Sequence, residues 1–173
     1  MTDERPESDS FICTTCGERH EGLGGLSFAA PFHYQQMSAS EQSSSAFLNA
    51  DLCSINSEDF FVRGCLEIPL HGRGEPFIWG VWVSLSKSNF DRYVGTFGRN
   101  DIAEGPYFGW FCNRVPGYSD TLHLKTNVYF RSGGVRPRIE LEPTDHPLAI
   151  DQRRGMSAQA LREIFEANVH ASD

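Results

Sequence analysis

The sequence predicts an α+β fold, a mainly antiparallel sheet with peripheral helices and an N-terminal CxxC knuckle. Two strand-length runs, residues 60–70 (FFVRGCLEIPL) and 77–85 (FIWGVWVSL), are rich in aromatic and β-branched side chains. Residues 71–75 between them combine glycine with charge and precede Pro76, which is typical of a hairpin loop. Strands and helices do not alternate as βαβ units would, and this favours α+β over α/β.

The two runs each carry one apolar face at a period of two residues. The side chains that share these faces are Phe60, Val62, Leu66 and Ile68 on the first run and Phe77, Trp79, Val81, Val83 and Leu85 on the second. We expect these faces to form one wall of the core.

For the region before the hairpin, the sequence predicts little regular structure. Residues 1–10 are too polar to pack and predict a disordered tail, followed by a single domain over residues 11–173. Ser38 and Glu41 have the spacing of a capping box, which predicts a short helix to about Asn49. Residues 51–55 then predict a short strand.

The region after the hairpin contains the clearest helix signal. Phe90, Tyr93, Val94 and Phe97 recur at helical spacing, and Gly98 can end the helix. We interpret the aromatic stretch PYFGWF, residues 106–111, as a buried loop because proline and glycine interrupt it. Residues 122–130 and 136–142 alternate as two further strands.

Two helices are predicted at the C-terminal end. Asp145 can cap the first, with Pro147 near its first turn and Gly155 just past its end. The second begins after Ser157, and its predicted buried side chains are Leu161, Ile164 and Phe165.

The charge balance narrows the classes of partner. The chain of 173 residues carries 23 acidic and 15 basic side chains, a formal net charge of −8. This argues against binding to nucleic acids or anionic membranes, which requires a basic surface, and leaves open a partner protein with a basic surface. The polar start, the lack of a long apolar run and the odd count of 5 cysteines predict a cytoplasmic protein with reduced thiols.

The sharpest chemical signal is Cys13-Thr-Thr-Cys16-Gly17. Two thiolates at this spacing can bind one tetrahedral ion from a tight turn, and His20 lies close enough in sequence to join them. A second pair at metal-ligand spacing is missing, so the remaining ligands must be isolated residues, for which the candidates are Cys53, Cys65, Cys112, His123 and His146. We predict a structural zinc ion bound by Cys13, Cys16, His20 and Cys53. A redox pair and uncommitted thiols are the alternatives.

The sheet face opposite the core is the second candidate site. The residues predicted to bind a partner there are Arg63, Trp82, His123, Lys125 and Tyr129. Trp, Tyr and Arg are the types that anchor protein interfaces. The alternative is a solvated face with charges paired across strands, or one partly covered by residues 106–111.

No catalytic constellation is predicted. The sequence lacks a GxSxG motif, and Asp145 and His146 are more simply explained as helix-capping residues. These observations favour a non-enzymatic protein-interaction module, such as a toxin-neutralising or accessory protein. A metal-dependent enzyme with an incomplete protein ligand shell and a thiol-disulfide protein that uses Cys13 and Cys16 are the alternatives.

Several blocks, in order CTTCGERH, DLC, FFVRG, WGVWVSLS, PYFGW and LEPTDHPLAIDQ, resemble a bacterial family known as domain of unknown function 2199. The resemblance covers residues 13–155. It implies a bacterial protein with no assigned activity, and it groups Cys13, Cys16, Gly17 and His20 in one unit and residues 51–53 in another.

Overall fold

The computed structural model describes residues 11–12, 19–20 and 25–169 and shows an α+β fold with a mainly sheet core. The strands in this part of the chain are β1 Phe11–Ile12, β2 Arg19–His20, β3 Gly25–Ser27, β4 Ala46–Leu48, β5 Leu52–Ile55, β6 Asp59–Ile68, β7 Phe77–Leu85, β8 Glu104–Trp110, β9 Lys125–Phe130 and β10 Arg138–Leu141. The helices are α1 Phe32–Gln35, α2 Ala39–Ser45, α3 Lys87–Thr96, α4 Pro147–Arg154 and α5 Ala158–Val169. The predicted tail and the predicted knuckle at Cys13 and Cys16 lie outside these residues.

The predicted hairpin is confirmed as the longest strand pair of the sheet. β6 and β7 are antiparallel and stay in register from Phe60 opposite Leu85 to Ile68 opposite Phe77. The alternation of apolar side chains therefore projects to the same side on both strands, as the sequence predicts.

The sheet is mixed rather than antiparallel throughout. Its strand order is β3-β7-β6-β10-β9-β8, with β4 and β5 attached to β6. β10 pairs with β6 in parallel and β3 pairs with β7 in parallel, whereas the other neighbours are antiparallel. The two parallel pairs join strands that are distant in sequence, and local alternation cannot reveal such pairings.

The far end of β8 returns to β7, so the sheet curls into a barrel-like ring. Phe111 forms an antiparallel bridge with Val83, and the Cys112 amide donates to the Trp82 carbonyl over 2.9 Å. Gly109 permits this close approach, because a Cβ atom there would lie 2.4 Å from the Ser84 carbonyl oxygen.

The inside of the ring is the main core, and the predicted inner wall is confirmed. Eight of its nine predicted side chains are buried (Val62, Leu66, Ile68, Phe77, Trp79, Val81, Val83 and Leu85). Phe60 is half-buried and lies against Phe90 of α3, with 5.0 Å between the ring centroids. Leu161, Ile164 and Phe165 of α5 belong to the same core, as predicted.

Three predicted elements need correction. The stretch interpreted as a loop is the strand β8, whose proline lies where the register with β9 shifts, a position that tolerates proline. The predicted helix after Ser38 has its capping box but ends at Ser45, where the chain turns into β4. The residue that caps α4 is His146 rather than Asp145.

The other predicted strands and helices are present near their predicted positions. α3 begins after Ser86, whose hydroxyl accepts from the Asn89 amide, and ends before Gly98, whose φ of +83° favours glycine. Within the described ranges, no helix combines the length and the apolar character needed to cross a membrane.

Candidate functional site: the outer face of the sheet

The outer face of the ring has two halves with different surroundings. One half, which we call the covered half, centres on Phe61 and Trp82 of β6 and β7. The segment that leads into α1 packs on it together with β4 and β5. The other half, which we call the open half, is formed by the outward side chains of β8, β9 and β10 together with Glu67 of β6.

Trp82 lies in the covered half, and this corrects the expectation that it belongs to an open face. Its side chain is fully buried in a second apolar cluster, and its indole Nε1 donates to the Phe28 carbonyl over 2.9 Å. The buried members of the cluster are Cys53, Ile55, Phe61, Trp82 and Cys112. Trp82 therefore stabilises the attachment of the preceding chain segments and is not accessible to a partner.

Asn113 connects the segment that packs on the covered half to the sheet. Its side chain is buried, its Oδ1 accepts from the Trp82 amide over 2.7 Å, and its Nδ2 donates to the Ala30 carbonyl over 3.0 Å. One amide side chain thus satisfies two buried backbone groups on different segments.

Arg63 lies at the border of the two halves. Its guanidinium donates to the Ala50 carbonyl over 3.3 Å, while its Nε is buried and lacks a partner among the described residues. Burial and then the nearby Arg136 lower the pKa of Arg63 from its usual range. Arg63 is therefore only half exposed, which limits the predicted contact with a partner.

The open half carries two exposed aromatic side chains on β8. Phe108 is 45% exposed and Trp110 is 41% exposed, and their ring centroids lie 4.9 Å apart in a T-shaped arrangement. In the register with β9, Phe108 lies opposite Asn127 and Trp110 lies opposite Lys125. The predicted binding residue Lys125 is thus next to an aromatic pair that is exposed on β8 and does not lie in a buried loop.

Tyr129 and Arg138 continue this surface across β9 and β10. They are opposite in register, and the guanidinium carbon lies 4.3 Å from the centre of the tyrosine ring. Arg138 also forms an ion pair with Glu140 on its own strand. These cation–π and ionic contacts hold the arginine flat on the sheet, so the open half presents a continuous aromatic and charged surface.

A groove of about 640 Å³ opens at one end of this surface. Its floor includes Glu67, Asn127, Arg138 and Glu140, and its walls are the 69–76 loop and α4. Gln152 of α4 donates to the Ile139 carbonyl over 2.9 Å and accepts from the Leu141 amide over 2.8 Å. These bonds fix the α4 wall to β10.

His123 does not belong to the open half, although alternation predicts that it does. It lies in the turn before β9 with a φ of +63°, and its Nε2 is 3.1 Å from the Nε2 of His33 on α1. His33 in turn stacks on Phe61, with 5.5 Å between the ring centroids. The sequence gives no signal for His33, because a pair whose members are 90 residues apart leaves no local pattern.

Comparison with protein families shows the family to which the chain belongs. A family model for an uncharacterized protein conserved in bacteria (DUF2199) matches residues 12–156. The chain belongs to the DUF2199 family. This confirms the resemblance read from the ordered sequence blocks. No curated protein and no solved structure matches the chain.

The part shared with DUF2199 contains both halves of the outer face and the two histidines, while α5 lies beyond it. The aromatic pair, the groove and the imidazole pair therefore all fall within the family region. The sequence contained a signal for the aromatic pair, because Phe108 and Trp110 alternate, but Pro106 and Gly109 masked it.

The predicted zinc ligands of this DUF2199 protein are only partly described. Cys13, Cys16 and the side chain of His20 lie outside the described residues, and zinc at these positions stays a prediction. Cys53 is fully buried in the covered half, and burial raises the pKa of its thiol to about 12, which disfavours the thiolate. Within the described ranges, no three His, Cys, Asp or Glu side chains group closely enough to hold a metal ion.

The remaining candidate ligands have other partners or surroundings. Burial also raises the pKa of Cys112 to about 12, and Cys65 is half-buried on the outer face of β6. His146 accepts from the Leu148 amide over 3.1 Å through Nδ1, and its Nε2 lies 3.2 and 3.1 Å from the carbonyls of Ser119 and Asp120. Both ring nitrogens of His146 therefore bind backbone, which confirms its interpretation as a capping residue.

Proposed function

We propose that this protein is a non-enzymatic protein-interaction module that binds its partner with the open half of the outer sheet face. The observation that carries the proposal is the exposed aromatic pair of Phe108 and Trp110 beside Lys125, Tyr129 and Arg138. Aromatic and arginine side chains supply most of the binding energy in protein interfaces, because they bury large areas at low entropic cost.

The geometry of this surface supports a protein partner. Phe108 and Trp110 lie on an ordered strand, so they are held in place before binding and lose little freedom in it. Arg138 is already oriented by Tyr129 and Glu140, so its guanidinium can donate to a group of the partner without a change of rotamer. The adjacent groove provides a recess for a protruding side chain of the partner.

The charge of the chain supports a partner with a basic surface. A formal net charge of −8 attracts a basic protein over distances longer than direct contact. The groove itself is lined by charges of both signs, Glu67, Glu75 and Glu140 together with Arg73, Arg138 and Arg153, so the attraction comes from the chain as a whole. Complementary charges of this kind raise the association rate more than the affinity, so the association rate should fall as salt concentration rises.

Site-specific photo-crosslinking in the bacterial cell tests the proposal. A photoreactive phenylalanine analogue at position 108 should capture one defined protein, which mass spectrometry then identifies. Phe47 provides the matched control, because it is 54% exposed on β4, away from the open half. The analogue at position 47 should not capture the same protein.

Binding measurements with the captured protein complete the test. The substitutions Phe108→Ala and Trp110→Ala should each weaken its binding at least about tenfold, as expected for central aromatic residues of an interface. Phe47→Ala should leave binding unchanged. Equal capture from both positions, or binding that is insensitive to both open-half substitutions, would reject this surface as the interface.

A further inference from the structure

We propose that His33 and His123 together bind a divalent transition-metal ion of the zinc class through their Nε2 atoms. The two Nε2 atoms lie 3.1 Å apart. Two imidazole nitrogens on one tetrahedral zinc ion, each about 2.0–2.1 Å from the metal, are separated by roughly 3.3 Å. The present positions therefore need only a small adjustment to bind one ion.

Neighbouring residues of the sheet hold the two histidines in place. The Phe32 amide donates to the Cys112 carbonyl over 2.8 Å, and the His123 amide donates to the Phe111 carbonyl over 2.7 Å. The chain segments of both histidines are thus tied to two consecutive residues at the end of β8. A ligand pair held by the backbone in this way is arranged before the ion arrives.

The surroundings of His33 are largely apolar and favour the neutral imidazole, which is the form that binds metal. One face of the ring stacks on Phe61, and Nδ1 is buried without a hydrogen-bond partner in the described part of the chain. Burial, and then His123, lower the pKa of His33, while Asp59 opposes this shift. Neutral imidazoles are the commonest metal ligands in proteins, and the ions they suit include zinc, copper and nickel.

His123 gives the pair contact with solvent. Its side chain is exposed, so an ion can reach the pair without a rearrangement of the core. Its φ of +63° is uncommon for a residue with a side chain and directs the imidazole toward His33. A backbone conformation of this kind persists where the surrounding structure determines it, here through the bond to Phe111.

A neutral hydrogen bond between the two rings is the competing explanation of the short distance. In that case one Nε2 carries a proton and donates it to the other, whereas a shared ion requires both lone pairs and no proton between them. The pair supplies two ligands, and water supplies the others. This inference does not depend on the proposed partner or on the open half.

Nitrogen NMR of the imidazoles distinguishes the two explanations directly. The full chain, labelled with ¹⁵N-histidine and freed of metal by a chelator, is titrated with zinc. We expect the Nε2 resonances of His33 and His123 to shift together and to saturate at one ion per chain. His71 and His146, whose ring nitrogens bind backbone carbonyls, should not move.

Substitutions provide a second readout. His33→Ala and His123→Ala should each lower the zinc affinity at least about tenfold, because even residues that only orient a ligand contribute 10–100-fold. His71→Ala is the matched control and should leave the affinity unchanged. Circular dichroism shows whether each variant folds, and the NMR titration of the unaltered chain tests the proposal if a variant does not.

Two results would overturn the proposal. One is a proton retained on an Nε2 of the pair at saturating zinc, without a shift of either ring, which would establish the hydrogen bond. The other is a zinc affinity that is unchanged in both His33→Ala and His123→Ala, because the ion would then be bound elsewhere.

Discussion

The covered and open halves of the outer face come from the same alternating pattern, yet they have opposite surroundings. Trp82 and Trp110 both project outward from the ring, but Trp82 is fully buried whereas Trp110 is 41% exposed. The difference arises from chain segments that lie far from both residues in sequence. Alternation determines the side of a strand on which a residue lies, and the remaining chain determines whether that side meets solvent.

The comparison implies different functions for the two halves. The covered half has buried apolar side chains and satisfied backbone groups, which stabilise the attachment of residues 28–55. The open half has exposed aromatic and charged side chains that contact one another on the surface of the sheet. Substitutions in the covered half should therefore reduce stability, and those in the open half should reduce binding.

The largest expected effect is that of Trp82→Ala. The substitution removes a buried indole and its hydrogen bond to Phe28, and it should lower the free energy of unfolding by about 3–5 kcal/mol. Trp110→Ala is the matched control in the open half and should lower it by no more than about 1.5 kcal/mol, the contribution of its aromatic contact with Phe108. Urea denaturation of both variants measures the difference. Equal losses would remove the distinction between the halves.

Asn113→Ala should have the next largest effect. It leaves the Trp82 amide and the Ala30 carbonyl without their partner in a buried position, at a cost of roughly 2–3 kcal/mol. Asn127→Ala, on the open half, should cost less than about 0.5 kcal/mol. Thermal and urea unfolding of the two variants test this difference. An unchanged midpoint for Asn113→Ala would show that the packing of residues 28–55 on the sheet does not depend on this residue.

A smaller effect should appear at alkaline pH. Burial raises the pKa of Cys53 and Cys112 to about 12 in the folded protein, whereas an unfolded thiol has a pKa of about 8.5. The unfolded chain therefore loses these protons first as pH rises. Their stabilising contribution is complete below about pH 8.5 and declines above it, by up to about 1.4 kcal/mol per pH unit for each thiol.

The double variant Cys53→Ala/Cys112→Ala tests this pH dependence. Between about pH 8.5 and 9.5, its unfolding free energy should decline less steeply than that of the unaltered chain, and the ionisation of tyrosines affects both proteins equally. The comparison concerns the slopes, so the constant cost of the two small cavities does not affect it. Identical slopes would show that the two thiols ionise equally well in the folded and unfolded states.

The sequence predicts the inner face of the ring better than the outer face for a physical reason. Val62, Leu66, Val81 and Val83 are buried by the curvature of their own sheet, and a two-residue period is enough to identify them. The burial of Trp82 depends on Phe28 and Asn113, which lie 54 and 31 residues away in sequence. Pairings of this kind carry no local period.

The candidate sites show the same limit. Lys125 and Tyr129 were identified by alternation, but Phe108 and Trp110 were missed because proline and glycine disguised β8 as a loop. The pairing of His33 with His123 depends on the return of the chain at Phe111 and Cys112 to β7. In each case the missing information is a long-range contact rather than a residue type.

Hydroxyl-radical footprinting with mass spectrometry tests the central claim most directly, since it compares the accessibility of Trp82 and Trp110 in one sample. We predict rapid oxidation of Trp110 and Phe108 and strong protection of Trp82 and Phe61 in the native protein. Addition of the captured partner should then protect Trp110 and Phe108. Equal oxidation of Trp82 and Trp110 would contradict the division of the outer face, and full exposure of Trp110 in the complex would contradict its role in binding.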